Sequence, residues 1–154
     1  MNTHAHDHEK CIDDALVAAR EICESRDTRF TPLRRKVLEL VWSGHKPVTA
    51  YELLDMLSNA GNKRVAPPTV YRALDFLMEE GFVHRLESLN AFIGCPDPAH
   101  KHQGHFLICR ECRTVAEVND SKLTSRISKA AQAHGYSCET SMLEIMGLCT
   151  SCQG

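Results

Sequence analysis

The sequence contains no long hydrophobic run and no N-terminal targeting pattern. No apolar stretch approaches the ~20 residues that a membrane-spanning helix requires. The first nine residues also lack the basic and apolar regions of a signal peptide. These absences argue against a membrane or secreted protein, and we expect a cytoplasmic one. In that reducing compartment, closely spaced cysteines are more often metal ligands than disulfide partners.

The chain also lacks a strong excess of charge of either sign. Its formal net charge is −2, which argues against nonspecific coating of nucleic acid. The charge is nevertheless uneven, because residues 1–25 carry two positive and six negative side chains, whereas residues 26–46 carry six positive and two negative ones. A polyanion is therefore expected to bind at residues 26–46 if it binds at all. A cluster of charged residues is, however, commonly just solvent-exposed surface without a binding role.

The pattern of a zinc-dependent enzyme is missing as well. A nucleobase deaminase combines an H-x-E motif with P-C-x-x-C and leaves one zinc position open for water. No H-x-E occurs in this chain, and Ile108 rather than proline precedes the first C-x-x-C pair. We therefore predict that the protein is not an enzyme. A thiol redox switch built on the C-x-x-C pairs is a further alternative from another class.

Cysteine, by contrast, is abundant and clustered. Four of the eight cysteines form two C-x-x-C pairs in separate parts of the chain, Cys109 with Cys112 and Cys149 with Cys152. Two such pairs can close a tetrahedral sulfur cage around one zinc ion, with no open position, so the site is structural rather than catalytic. The segment before the first pair also contains Cys95 and three histidines. This surplus of possible ligands indicates a second metal site of a different kind.

The first part of the chain has the element order of a winged helix-turn-helix. Apolar residues at helical spacing predict one helix, and N-cap residues or prolines open three more. The predicted helices span residues 12–24, 32–43, 50–60 and 67–80, and two strands follow at 82–87 and 91–94. This order is typical of a DNA reader, although many small helical domains share it without touching DNA.

The character of the chain changes after residue 95. The predicted elements are strands at 106–108 and 115–118, a helix at 122–133, and a strand at 136–148. They form a small α+β unit with few large apolar residues for its size. We therefore expect metal and a partner surface to complete its core.

Three motifs together resemble the ferric uptake regulator family of metal-sensing bacterial repressors. They are Thr31-Pro32-Leu33-Arg34, Pro67-Pro68-Thr69-Val70-Tyr71-Arg72-Ala73-Leu74, and the two C-x-x-C pairs. The likeness covers nearly the whole chain from about residue 14, and the segments 71–77 and 81–84 look most like the zinc-uptake branch.

The resemblance implies an α+β protein with two domains. A winged helix-turn-helix domain is expected over residues 1–94, with residues 1–10 as a mobile tail, and a zinc-binding dimerisation domain over residues 95–154.

The second metal site is assigned to four residues from different parts of the chain, His84, Cys95, His102 and Glu117. The family likeness places regulatory ligands at these positions, and a metal held by all four would fix the angle between the two domains. A thiolate, two imidazoles and a carboxylate suit tetrahedral Zn²⁺ better than octahedral Fe²⁺ or Mn²⁺. With the sulfur cage, two zinc ions per chain are expected.

Other histidines have two interpretations each. We predict that His100 and His105 are exposed loop histidines, and an accessory metal site is the alternative. The run between them lacks the acidic residue of the similar run in iron-sensing members. His4, His6 and His8 alternate in a polar N-terminal segment and are either part of a mobile terminus or weak metal ligands.

For DNA recognition, the fourth helix is predicted to lie in the major groove. Arg72 is the candidate for a bidentate contact with the O6 and N7 edge of guanine. The other candidates are Thr69 and Tyr71 for the backbone or thymine methyl groups, Tyr51 for a base contact by family likeness, and Arg34 and Arg35 for phosphates. Phosphate contacts position a protein without specifying sequence.

The resemblance implies a homodimeric, zinc-responsive transcriptional repressor. It is expected to bind double-stranded DNA when its regulatory site is filled, and to control zinc uptake genes. Twofold symmetry predicts a pseudo-palindromic operator. The main alternative is a member of the same family that senses iron or manganese, and the soft thiolate of Cys95 argues against it.

Overall fold

The computed structural model describes residues 7–44, 46–61, 64–99 and 104–154. The chain divides into two units, Met1–His100 and Lys101–Gly154. The domain division predicted after residue 94 falls earlier in the chain, so Cys95 belongs to the first unit. None of the described helices is long and apolar enough to cross a membrane.

The first unit contains four helices followed by a two-stranded hairpin. These elements are α1 (His8–Arg26), α2 (Pro32–Trp42), α3 (Ala50–Asn59), α4 (Pro67–Glu79), β1 (Val83–Leu86) and β2 (Ala91–Gly94). The order is that of the predicted winged helix-turn-helix. The first helix starts earlier than predicted because the Asp7 carboxylate caps it by accepting a bond from the Lys10 amide. Residues 8–10, assigned to a mobile tail, are therefore helical, and His4 and His6 lie outside the described residues.

The helix starts follow the capping chemistry of the sequence. The Thr31 hydroxyl accepts a hydrogen bond from the Arg34 amide at 3.3 Å, and α2 then begins at a proline. At α3, the Thr49 hydroxyl accepts from the Glu52 amide at 3.1 Å, while the Glu52 carboxylate accepts from the Thr49 amide at 2.7 Å. This reciprocal pair is a capping box.

The core of the first unit is formed by one apolar face from each helix. Its fully buried members include Val37, Leu38, Leu53, Leu57, Val70, Leu74 and Leu77. The hairpin closes this core, because Val48 and Phe92 exchange backbone hydrogen bonds of 3.0 and 2.8 Å and so attach the loop before α3 to β2. The exposed starts of α3 and α4 are thereby carried on a packed scaffold.

The second unit is a three-stranded sheet with one helix. Its elements are β3 (Gly104–Cys109), β4 (Val115–Glu117), α5 (Ser121–Ala133) and β5 (Met142–Gly147). The strand order is β4-β3-β5, with β4 antiparallel and β5 parallel to the central strand. The parallel pair requires a crossover, and α5 lies within it. The predicted last strand is shortened, since it begins only at Met142.

The core of the second unit is small. Its buried residues are concentrated in β3, whereas α5 buries none along its length. His105 is one of the buried residues, being only 1% exposed, and its Nε2 lies 3.1 Å from the Ser141 hydroxyl oxygen. The prediction of an exposed loop histidine at this position is wrong, because β3 starts two residues earlier than the apolar pattern indicated. His100 lies outside the described residues.

Candidate metal centre and nucleic-acid interface

The two C-x-x-C pairs meet within the second unit. The sulfur atoms of Cys109, Cys112, Cys149 and Cys152 all lie within 4.8 Å of one another. The Cys112 and Cys149 sulfurs are 3.7 Å apart. A zinc ion with four Zn–S bonds of about 2.3 Å places its sulfurs about 3.8 Å apart in a regular tetrahedron. The cage thus has the size that a zinc–thiolate site requires.

Tight turns at the ends of β3 and β5 present these sulfurs. In the first turn the Arg113 amide donates to the Cys109 carbonyl at 2.9 Å, and Arg113 takes a left-handed conformation with φ 60°. In the second turn the Cys152 amide donates to the Cys149 carbonyl at 2.9 Å. The pairing of β3 with β5 then places the two turns side by side.

The surroundings of the cage lower the pKa of two of its cysteines and raise the pKa of a third. Backbone amides of Cys112 and then Cys149 lower the pKa of the Cys109 thiol to about 6. The Thr114 hydroxyl, 3.0 Å away, lowers the pKa of Cys112. Hydrogen bonds with the Cys149 and Cys112 sulfurs raise the pKa of Cys152 to about 12. Metal binding to such a set requires deprotonation and therefore releases protons.

Two of the predicted regulatory ligands are neighbours in the first unit. His84 pairs with Ile93 across the hairpin, and Cys95 lies two residues beyond Ile93, so both ligands point to one face. The Cys95 sulfur lies within 4.8 Å of a ring nitrogen of His84. Cys95 is 3% exposed, so its thiol lies in a largely dry environment.

The other two predicted ligands belong to other parts of the chain. Glu117 is the last residue of β4 in the second unit, where it is half-buried and pairs with Phe106. His102 lies outside the described residues. The four-ligand set stays a prediction.

The predicted DNA-reading side chains lie on the exposed starts of α3 and α4. Tyr71 is 51% exposed and Tyr51 is 79% exposed, and Arg72 is exposed as well. Arg35, the predicted phosphate contact in the first turn of α2, is also exposed. Thr69 is half-buried. Neither tyrosine belongs to the core of this unit, and their assignment to DNA contacts stays a prediction.

Arg34 has a contact that the sequence did not predict. Its guanidinium lies 3.7 Å from the ring centroid of Phe76 in α4, and Nη1 donates to the Arg29 carbonyl. The side chain therefore joins α2 to α4.

Arg26 makes an ion pair with the residue that caps the C-terminal end of α4. Its Nη1 donates to the Glu80 carbonyl at 2.9 Å and to the Glu80 carboxylate at 2.8 Å. The sequence shows Arg26 only as part of a basic segment. No local pattern could have predicted its partner, because the two residues are 54 positions apart and meet through tertiary packing.

Comparison with known proteins agrees with this architecture. The model described as the ferric uptake regulator family matches residues 25–146. The zinc uptake regulation protein of Escherichia coli (strain K12) is 37% identical over 142 residues, covering 90% of this chain and 81% of the relative.

Two solved structures are also similar. A zinc uptake regulator complexed with zinc and DNA is 36% identical, with a TM-score of 0.85 over 91% of this chain and 93% of that one. The holo form of XcZur is 45% identical, with a TM-score of 0.82 over 90% of this chain and 96% of that one. The resemblance inferred from the motifs is confirmed, and the chain belongs to the ferric uptake regulator family.

Proposed function

We propose that this protein is a zinc-responsive transcriptional repressor rather than an enzyme. It binds operator DNA as a dimer when its regulatory zinc site is filled, and it controls zinc uptake genes. Similarity to the E. coli zinc uptake regulation protein and to a regulator complexed with zinc and DNA supports this function. The observation that carries it is the buried thiol of Cys95 beside a His84 nitrogen, a donor pair that favours zinc over iron or manganese.

The first zinc ion is structural and is held by the four-sulfur cage. The 3.7 Å separation between Cys112 and Cys149, together with the amides directed at Cys109, supports a closed thiolate site. Four protein ligands leave no position for water, so this ion has no catalytic role. Its binding energy is folding energy for the second unit.

The second zinc ion is regulatory and is held by His84, Cys95, His102 and Glu117. The proximity of the first two ligands on one hairpin face supports this assignment. Because Glu117 comes from the second unit, one ion bound by the whole set links the two units. DNA binding then depends on zinc, since the linked arrangement is the one that reads the operator.

Recognition is assigned to α4, whose exposed first turns enter the major groove. Arg72 contacts a guanine edge, and Thr69 and Tyr71 contact the backbone or thymine methyl groups. Tyr51 approaches the bases from the start of α3. Arg35, which is exposed, contacts phosphate, and Arg34 does so while it also braces α4 through Phe76.

The second unit supplies the dimer contact. Several large apolar side chains are exposed there, namely Leu107, Tyr136, Met142, Ile145 and Met146. Three of them belong to β5, which lies at an edge of the described sheet. An exposed apolar edge strand is stable in solution only when something covers it. A second copy of the chain provides that cover, and twofold symmetry makes the operator pseudo-palindromic.

The test is operator binding by the full-length protein under buffered metal. The DNA is the region upstream of the protein's own gene, and zinc, iron(II) and manganese(II) are compared at equal free concentrations. We expect retardation of the DNA to appear with zinc at free concentrations where iron(II) and manganese(II) have no effect. Equal or stronger binding with iron(II) or manganese(II), or binding independent of metal, would contradict the proposal.

A further inference from the structure

The single tryptophan of the chain lies directly on a strand backbone. Trp42 is the last residue of α2, and its indole covers Gly94 at the end of β2. A Cβ on residue 94 would lie 2.7 Å from Trp42 Cζ2 and closer still to Cε2 and Nε1. Gly94 is not among the glycines with positive φ, so it is the contact with the indole that requires glycine here.

Gly94 directly precedes the proposed regulatory ligand Cys95. In the hairpin register Val83 pairs with Gly94 and His84 with Ile93. Successive residues of a strand face opposite sides, so Gly94 faces away from the side that carries His84 and Cys95. Trp42 therefore supports the strand from behind, on the face opposite the ligands.

The backbone of Cys95 is also held from the side by the end of α4. The Cys95 amide donates to the Phe82 carbonyl at 2.9 Å, and the Phe82 amide donates to the Leu77 carbonyl in α4 at 2.8 Å. These two hydrogen bonds connect the Cys95 backbone to the C-terminal part of α4. The contact between the indole and Gly94 connects it to the end of α2. The ligand backbone is thus positioned by both helices.

We propose that Trp42 is a positioning residue for the regulatory zinc site. By packing on Gly94 it sets the position of the Cys95 backbone, and so joins occupancy of that site to the placement of α2. This inference rests on the proposed function, because it takes Cys95 as a zinc ligand. Zn–S bonds of about 2.3 Å tolerate little displacement, and groups that orient metal ligands typically affect affinity by about 10–100-fold.

The contact between Trp42 and Gly94 also couples zinc binding to the helix that carries the proposed phosphate contacts. The helix that ends in Trp42 carries Arg34 and Arg35 in its first turn, where phosphate contacts are proposed. A ligand strand drawn toward zinc moves away from the indole, and α2 moves with the strand as long as the indole stays packed on Gly94. Linkage then requires that weakening this contact reduces the factor by which zinc tightens DNA binding.

The experiment uses the full-length protein with its structural zinc in place. The affinity for the second zinc equivalent is measured by competition with a chelator of known affinity, and operator affinity is measured with and without that equivalent. The variants are Gly94→Ala, Trp42→Leu, their combination, and the conservative Trp42→Phe. Gly44→Ala is the matched control, because a Cβ there meets only the Lys46 amide nitrogen, at an ordinary 3.9 Å.

Gly94→Ala should weaken binding of the second zinc equivalent by about 10–100-fold. Trp42→Leu, which removes the support, should also weaken it and reduce the zinc effect on operator affinity. The combined variant should bind the second zinc more tightly than Gly94→Ala alone, since the smaller side chain makes room for the added methyl group. Trp42→Phe should fall between wild type and Trp42→Leu, and Gly44→Ala should match wild type.

Intrinsic fluorescence gives a readout that a purely structural role would not move. Emission from Trp42 in the wild type should change with the second zinc equivalent and not with the first. The inference is overturned if Gly94→Ala and Trp42→Leu, both folded by circular dichroism, keep wild-type affinity for the second equivalent. It is also overturned if Trp42→Phe keeps the full zinc effect while emission is insensitive to zinc. Failure of the wild type itself to bind a second equivalent contradicts the proposed function instead, and the inference with it.

Discussion

The two units of the chain achieve their stability in different ways. The first unit buries an apolar face from each of its helices and closes the core with Phe82 and Phe92. The second unit buries little outside β3, and α5 has no buried residue at all. A core of that size rarely stabilises a small fold by itself. The difference supports the proposal that burial stabilises the first unit, whereas metal and a partner stabilise the second.

The same difference divides the functional roles. Exposed tyrosines and Arg72 lie on the well-packed unit, where a rigid scaffold can present them to base edges. The sulfur cage and the exposed apolar edge strand lie on the other unit, where the proposed zinc ion and second copy of the chain would compensate for the small core. Perturbing one source of stability should therefore leave the other unit folded.

Loss of the sulfur cage should have the largest effect. Cys109→Ser should unfold the second unit and abolish the dimer, because structural zinc in small domains contributes about 10–16 kcal/mol of apparent binding energy. The first unit should keep its helices. Zinc content, light-scattering mass and far-UV circular dichroism measure these outcomes.

The matched control for that variant is Cys138→Ser. Cys138 also belongs to the second unit, where it is half-buried, but its sulfur is not part of the cage and lies 3.8 Å from the Thr140 carbonyl oxygen. It should keep the zinc and the dimer. A stable, dimeric Cys109→Ser protein would show that the cage is not what holds the unit.

A core truncation in the first unit should produce the opposite pattern. Leu74→Ala removes a fully buried side chain of α4, and we expect it to cost about 2–5 kcal/mol of unfolding free energy. Urea unfolding followed by the fluorescence of Trp42 reports this unit. Leu54→Ala, at a half-buried position of α3, is the control and should cost roughly half as much or less.

Cage zinc should remain bound in Leu74→Ala until the first unit has unfolded. Release of that zinc in step with the fluorescence change would contradict the division of stability between the units.

Arg72→Ala should weaken binding to the specific operator by about 1–3 kcal/mol and relax the base preference at one position. Arg35→Ala should instead weaken all sequences alike and reduce the slope of log affinity against log salt by about one. Titrations of specific and random DNA at several salt concentrations separate the two effects. If both variants weakened both DNAs equally, α4 would not be the element that reads bases.

Arg34→Ala should have the smallest effect on stability. The loss of its cation–π contact with Phe76 should lower the unfolding free energy of the first unit by about 0.5–2 kcal/mol. Arg34→Lys keeps the charge but not the planar guanidinium, so it should restore phosphate binding better than stability. An Arg34→Lys variant that recovers the stability but not the DNA affinity would contradict the assignment of the cation–π contact to stability and of the charge to phosphate binding.

Much of the fold could be predicted because the signals are local. Threonine caps, helix-opening prolines and apolar periodicity act over a few residues, and they predicted every element of the winged helix. The meeting of the four sulfurs was equally predictable, since two C-x-x-C pairs in one chain are typical of a shared zinc site. In each case the residues of the sequence motif are the same residues that form the helix cap or the cage.

The rest depends on tertiary packing and leaves no local pattern. Arg26 binds Glu80 and Arg34 covers Phe76, but both read in the sequence as members of a basic stretch. His105 stands just before the apolar run 106–108 and not inside it. Its burial in β3 beside Ser141 therefore could not be predicted from the sequence. Gly94 could be any strand glycine until the indole of Trp42 is seen against it.

The central claim is that zinc at the Cys95 site switches DNA binding, and Cys95→Ser tests it most directly. Operator affinity is measured at buffered zinc concentrations for wild type, Cys95→Ser and the control Cys138→Ser. A shift from mostly unbound to mostly bound protein needs differential affinity on the order of 5 kcal/mol, which a neutral hydroxyl cannot supply in place of a thiolate.

Cys95→Ser should retain the structural zinc, the circular dichroism spectrum and the dimer mass. It should bind the operator weakly and with the same affinity at every zinc concentration, whereas wild type and Cys138→Ser tighten as zinc rises. A Cys95→Ser protein that still tightens on the operator, with an unchanged zinc midpoint, would contradict the account.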